Sequence, residues 1–191
     1  MAIQLTGISK AYGEHMVLED FSCEIEEGRV TCIMGPSGQG KTTLLRIIMG
    51  LEEPDAGQIA GLENLRFSAV FQENRLCDNL TAAANIRLIS RKPLRTSTII
   101  EAMKAVELPP ECARQTVCEM SGGQKRRVSI LRALMAEYDV LFMDEPFKGL
   151  DMETKEEVMQ YVKEQSRGKT VIMITHDESE CVVMGGNIVK V

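Results

Sequence analysis

No apolar run in this 191-residue chain approaches the ~20 residues that a membrane-spanning helix needs. The opening Met1-Ala2-Ile3-Gln4-Leu5 lacks a basic stretch and a signal-type apolar core, so nothing in it directs the chain out of the cytosol. The six cysteines (23, 32, 77, 112, 118 and 181) form no Cys-X-X-Cys pair and have no histidine cluster near them. That excludes a zinc-thiolate site or a disulfide frame and reads as reduced, mostly buried thiols. Excess positive charge is also missing. A formal charge of −6 argues against a nucleic-acid partner, because such binding rests on many lysines and arginines that neutralise phosphates. Two short basic groups, Arg91-Lys92 with Arg95 and Lys125-Arg126-Arg127, read as solvated helix faces. With no internal repeat and no low-complexity linker, the chain reads as one compact unit.

What is present is an ordinary globular composition, 44% hydrophobic and 26% charged, in a length that fits one domain spanning 1–191. Residues 3–8 and 17–25 alternate apolar and polar and predict an antiparallel β edge. Pro54-Asp55-Ala56-Gly57 reads as a turn, and 67–71 as a buried strand. Thr81 and Ser97 are placed to cap two short amphipathic helices, with Ile86 and Ile89 on the first and Ile99, Ile100, Met103 and Val106 on the second. Pro109-Pro110 stops the second, which makes about 80–118 a small helical subdomain inserted in an α/β core. Beyond it come a helix over 121–136, a strand over 140–143, a helix over 153–166, a strand over 170–175 and a last strand near Ile188. Strands alternating with helices predict a mainly parallel sheet, wound right-handed.

The run Gly35-Pro36-Ser37-Gly38-Gln39-Gly40-Lys41-Thr42-Thr43 stands between a β-branched apolar strand and an apolar helix. Glycines let backbone N–H groups turn inward around phosphate oxygens, and the helix start adds partial positive charge. Lys41 is placed to reach the β- and γ-phosphates of a nucleotide, and the Thr42 hydroxyl to hold Mg²⁺. The competing reading is a Gly-rich turn that happens to end in Lys-Thr. A second acidic element, Val140-Leu141-Phe142-Met143-Asp144-Glu145, ends a buried strand at the crevice where α/β sheets bind ligands. Asp144 suits the Mg²⁺ shell, and Glu145 suits the deprotonation of an attacking water. His176 ends another buried strand and faces the same crevice, whereas His15 has no such context and reads as surface. Tyr12, in a loop between strands, offers a ring that stacks on a base or simply packs. Ser121-Gly122-Gly123-Gln124 opens a helix as a second anion-binding N-terminus, a surplus that makes sense if it completes the site of another subunit.

Taken together these motifs resemble the ATP-binding subunits of ATP-binding cassette (ABC) transporters over nearly the whole chain. The phosphate loop 35–43, Gln72 in Phe-Gln-Glu, Ser121 to Gln124, Asp144-Glu145, Gly149-Leu150-Asp151 and His176 occur in family order. The resemblance implies a P-loop NTPase fold and an ATPase that uses ATP and Mg²⁺. In it Lys41 grips phosphates, Thr42 and Gln72 serve Mg²⁺ and the attacking water, Glu145 is the base and His176 contacts the γ-phosphate. Ser121 and Gly123 would meet the ATP of a partner cassette, Asp151 would lie at the dimer seam, and Tyr12 would stack on adenine. It further implies a cytoplasmic chain, peripheral on the inner face of the cell membrane, that forms a homodimer or paired cassette on ATP and works with a separate membrane-spanning permease and a substrate-binding protein in the complex. The motif wording is most similar to importers of the nitrate, sulfonate and taurine type. A soluble ABC-type ATPase acting outside transport is the alternative, although such proteins usually carry two cassettes or a coiled-coil insertion. Against the family pattern, Met120 replaces Leu, residues 57–67 are short enough to imply a reduced β-subdomain, and the end at Val191 implies no C-terminal regulatory domain.

Overall fold

The computed structural model describes residues 2–191. Two sheets organise them. Strands β1 (Ile3–Tyr12), β2 (His15–Ile25) and β4 (Ala56–Ala60) form an antiparallel sheet in the order β2-β1-β4. Strands β3 (Val30–Met34), β5 (Phe67–Val70), β6 (Val140–Asp144), β7 (Thr170–Ile174) and β8 (Asn187–Lys190) form a parallel sheet in the order β5-β6-β7-β3-β8. Helix α1 (Lys41–Ile48) follows β3, and α2 (Ala82–Arg87) and α3 (Thr96–Ala105) follow β5. Helices α4 (Gly122–Leu134), α5 (Met152–Gln165) and α6 (Glu178–Met184) alternate with β6, β7 and β8.

Alternation along the central strands divides the core in two. Ile33, Phe142, Ile172 and Ile174 point to one side, where they bury Leu44, Leu45, Ile47 and Ile48 of α1 and Ile3, Leu5 and Ile8 of β1. Cys32, Leu141, Met143, Val171 and Met173 point to the other, against Ile86, Met103, Val128, Val158 and Cys181 from α2 to α6. Each fully buried Leu or Ile of α1 contributes about 1.5–3 kcal/mol, which fixes that helix, and the loop before it, on the sheet. Strands buried on both faces read as unbroken apolar runs, so β3, β6 and β7 were legible without alternation.

Several expectations need correction. Pro54-Asp55-Ala56-Gly57 is not only a turn, since β4 starts at Ala56 and pairs Gln4 with Ala60 and Leu5 with Ile59. Four of the five β4 residues are exposed, so the strand has no hydrophobic pattern of its own and is held by the ladder to β1. Thr81 caps α2 as expected, accepting from the Ala84 N–H, but α3 begins at Thr96 and carries Ser97 inside it rather than as its cap. Ile89 lies beyond α2 and is exposed. Helix α6 went unread because seven residues show too little periodicity, although Asp177 and Gly185 are its end signals. The cysteines are all free thiols; three are buried, Cys23 is half-buried, and Cys77 and Cys118 are exposed.

Candidate functional site

Because β5, β6, β7 and β3 run parallel, their carboxyl ends bring Gln72, Glu145, His176 and the loop 35–43 to one edge. A cavity of about 470 Å³ opens there, lined by Ser37, Gly38, Gly40, Lys41, Thr42 and Thr43 on one side and Gln72, Glu145, Lys148 and His176 on another. Tyr12, His15 and Val17 close its rim. Gly40 has φ +77, and a Cβ there would come within 2.7 Å of Val17, so only glycine lets the loop pass under β2. A Cβ on Gly35 would meet the Val191 carbonyl oxygen at 2.5 Å. Gly35 and Pro36 do not line the cavity, and their carbonyl oxygens accept from the Lys41 ammonium at 2.8 and 2.7 Å. Burial pulls the Lys41 pKa down against the nearby Glu145 and Asp144 carboxylates. The cavity wall therefore holds the loop's Gly38 and Gly40, the start of α1 and a desolvated cation, which is chemistry for an anion.

Asp144 ends β6 and is buried, and the Thr42 hydroxyl donates to its Oδ2 at 3.1 Å. Burial raises the Asp144 pKa, opposed by that hydrogen bond and by the Arg126 and Lys41 charges. Thr42, Gln72 and Asp144 share a second cavity of about 240 Å³. One carboxylate with a hydroxyl and an amide is an all-oxygen set, which fits a hard cation that takes its remaining ligands from phosphate and water.

Glu145 stands next to Asp144 in the left-handed region, φ +46, with its N–H donating to the Ile174 carbonyl at 3.0 Å. Its Oε1 lies 2.9 Å from His176 Nε2 and its Oε2 accepts from Lys148 Nζ at 2.6 Å. Burial works against the charged form, but the Lys148 and His176 contacts outweigh it and hold the carboxyl below its usual range. His176 is presented from an anchored segment. Thr175 donates to buried Glu180 at 2.5 Å, Lys155 pairs with Glu180 at 2.6 Å and with Asp177 at 2.8 Å, and Asp177 caps α6. Lys155 and then Ser179 hold the Asp177 carboxyl at about 2. Such a group adds stability above its unfolded pKa of ~3.9 and loses it as pH falls through the folded value. Asp177→Ala is therefore expected to cost the ~1 kcal/mol of a lost cap at neutral pH. The gap from wild type should close as pH falls through about 2. Calorimetry showing the same gap at every pH rules this out.

A family model described as ABC transporter matches residues 18–148. The chain belongs to the ABC transporter family. The Sulfate/thiosulfate import ATP-binding protein CysA of Bacillus cereus is 34% identical, covering 99% of this chain and 58% of that protein. The Spermidine/putrescine import ATP-binding protein PotA of Haemophilus influenzae is 33% identical, covering 98% of this chain and 54% of that protein. The chain thus spans little more than half the length of these curated relatives. Two dimeric structures of the cassette MJ0796, one in a post-hydrolysis state bound to ADP and Pi, superpose with a TM-score of 0.86. They are 30% and 31% identical, and each comparison covers 99% of this chain and 94% of that one. The fold is accordingly that of an ABC cassette, a P-loop NTPase with one parallel and one antiparallel sheet.

Within this ABC fold the remaining motif residues do not converge on the cavity. Ser121 caps α4 in a reciprocal box with Gln124, and Ser121 and Gly122 are exposed while Gly123 and Gln124 are half-buried. None of Ser121, Gly122, Gly123 or Gln124 lines the cavity, and Asp151 instead caps α5 by accepting from the Thr154 N–H at 3.0 Å. Gln39 is also outside the lining. Tyr12 is the last residue of β1 rather than a loop residue; its hydroxyl donates to Glu52 and Lys10 lies 5.8 Å from the ring centre.

Sequence reasoning missed three residues. His15 is exposed, as read, but as the cross-strand partner of Tyr12 it also stands on the cavity rim, which only the hairpin pairing reveals. Lys148 reaches Glu145 across a turn, and its spacing of three residues was the available signal. Arg126, read with its neighbours as a solvated face, is only 4% exposed. It precedes buried Ser129 and Ile130 at helical spacing, a pattern that the charge obscured. Arg127 is half-buried too, donating to the Val106 and Glu107 carbonyls.

Proposed function

We propose that the chain is the ATP-binding and ATP-hydrolysing part of an ABC importer, one cassette spanning 1–191 with the helical segment 80–118 inserted. The observation that carries this reading is the meeting of Glu145 and His176, 2.9 Å apart, at the mouth of the phosphate loop. In this reading loop 35–43 wraps the phosphates of ATP, Lys41 exchanges its Gly35 and Pro36 carbonyls for phosphate oxygens, and Tyr12 stacks on adenine. Thr42, Asp144 and Gln72 would hold Mg²⁺, which supplies positive charge to the phosphate oxygens. Glu145 takes a proton from a water as that water attacks the γ-phosphorus; the bond to the β–γ bridging oxygen breaks, leaving ADP and inorganic phosphate. Each carboxylate oxygen has two lone pairs, so Glu145 can hold this water beside its present contacts. His176 donates to the γ-phosphate as charge moves onto the leaving oxygen.

Ser121 to Gln124, with Ser121 and Gly122 exposed at the head of α4, are read as the cover of a partner's ATP in a head-to-tail pair, homodimer or paired cassette, with Asp151 at the seam. ATP bridges the two chains, so its hydrolysis opens them and moves a separate membrane permease. No helix among the described residues is long and apolar enough to cross a membrane, which fits a peripheral subunit on its cytoplasmic face. Relatives that are import ATP-binding proteins for sulfate/thiosulfate and for spermidine/putrescine support import as the direction, and an importer of this kind would take its cargo from a substrate-binding protein in the complex. Within importers the motif wording supports the nitrate, sulfonate and taurine type.

The test is phosphate release from Mg-ATP by the purified chain, alone and with its permease. Turnover is expected, and none in either state overturns the reading. His176→Ala should bind nucleotide nearly as wild type and turn over ~10- to 1000-fold more slowly, as the loss of one transition-state contact requires. Unchanged turnover returns His176 to a structural role.

A further inference from the structure

Arg126 lies on α4, the helix that Ser121 caps, and its guanidinium reaches two segments of the site at once. It donates to the carbonyl oxygens of Phe71 at 2.5 Å and Gln72 at 3.3 Å, just after β5, and to Asn74 Oδ1 at 3.4 Å. It also donates to the carbonyls of Asp144, Glu145 and Pro146 at 2.9, 2.5 and 2.7 Å, just after β6. Every one of these acceptors is a neutral oxygen, so the buried charge is satisfied by geometry rather than by a paired carboxylate. Burial pulls its pKa down to about 10, which still leaves it charged at neutral pH. An apolar side chain of the same size would fill the space; only a planar fork ties two backbone segments together.

The segments it joins carry Gln72 and Glu145. Glu145 holds a left-handed backbone that a non-glycine residue adopts only when its surroundings enforce it, and its carbonyl is one of those Arg126 grips. We infer that Arg126 is a positioning residue for hydrolysis, one that sets Gln72 and Glu145 against each other through their carbonyls and links both to the helix headed by Ser121. This rests on the proposed ATPase activity. A shift of ~1 Å in a positioned group costs about 10²-fold in rate, while phosphate binding by loop 35–43 involves no atom that Arg126 touches.

The test uses the full chain with Arg126→Lys, Arg126→Gln and Arg126→Ala, after turnover of the wild type has been established. Absence of wild-type turnover would count against the proposed function, not against Arg126. Folded Gln and Lys variants are expected to bind ATP within about threefold of wild type and to lose ~10- to 100-fold in kcat with little change in KM. Guanidinium ion added to Arg126→Ala should recover part of kcat where ammonium ion does not, because one fork is being replaced. A folded variant with wild-type kcat overturns the inference, as does a loss of ATP affinity equal to the loss of kcat. Failure of all three variants to fold makes Arg126 a support of the fold alone and overturns it as well.

Discussion

Glu145→Gln is expected to bind Mg-ATP, to hydrolyse it ~10²- to 10⁴-fold more slowly than wild type, and to accumulate as a dimer. Gln keeps the length and shape of Glu and still reaches His176, but it cannot take a proton from water and has no charge for Lys148 to pair with. The loop contacts to phosphate are untouched, so ATP outlives many openings and mass action favours the paired state. The variant should run as a dimer with Mg-ATP and as a monomer without it, while wild type pairs only transiently. Adding Ser121→Arg should abolish the dimer, because a bulky cation would fill the space meant for the partner's γ-phosphate. Since Ser121 also caps α4, its loss costs ~1 kcal/mol by itself, and Ser121→Ala is the control that removes the cap without the bulk. A Glu145→Gln chain that stays monomeric in light scattering at saturating Mg-ATP, both alone and with its permease, refutes the shared site.

Lys41→Ala should abolish tight ATP binding, with affinity falling ~10²-fold or more by calorimetry, because charge-assisted hydrogen bonds to phosphate are worth ~1.5–3 kcal/mol each. Lys41 is the one cation rooted in the loop itself, and burial has already removed its hydration, so it meets phosphate without that cost. Lys148 also lines the cavity but is paired with Glu145 and stands on the far wall, where it cannot substitute. Alanine there should leave the fold intact, since Lys41 contributes to it only by donating to two loop carbonyls. Wild-type affinity would sink the phosphate-loop assignment.

The fold was legible where chemistry is local. β3, β6 and β7 are apolar on both faces and flanked by turn residues, and the caps Thr81 and Ser121 stand where α2 and α4 start. β4 was not legible, because an exposed strand is stabilised by a partner some fifty residues away and carries little pattern of its own. Within the site, loop 35–43, Asp144, Glu145 and His176 were readable because each sits at the end of an apolar run, where a parallel sheet collects its functional residues. The Thr42–Asp144 and Glu145–His176 contacts were implied by that rule, and the strand order made them real.

By itself the sequence determined the phosphate loop, the acidic strand end, the capped helix at Ser121 and the parallel α/β plan, since glycine spacing, apolar runs and caps act within a few residues. Only the tertiary structure decided that Lys148 grips Glu145, that His15 joins Tyr12 on the rim, and that Arg126 is buried between the segments that follow β5 and β6. A charged side chain reads as solvated until the fold supplies enough oxygens to replace its water, and those around Arg126 come from segments more than fifty residues apart in one direction and about twenty in the other.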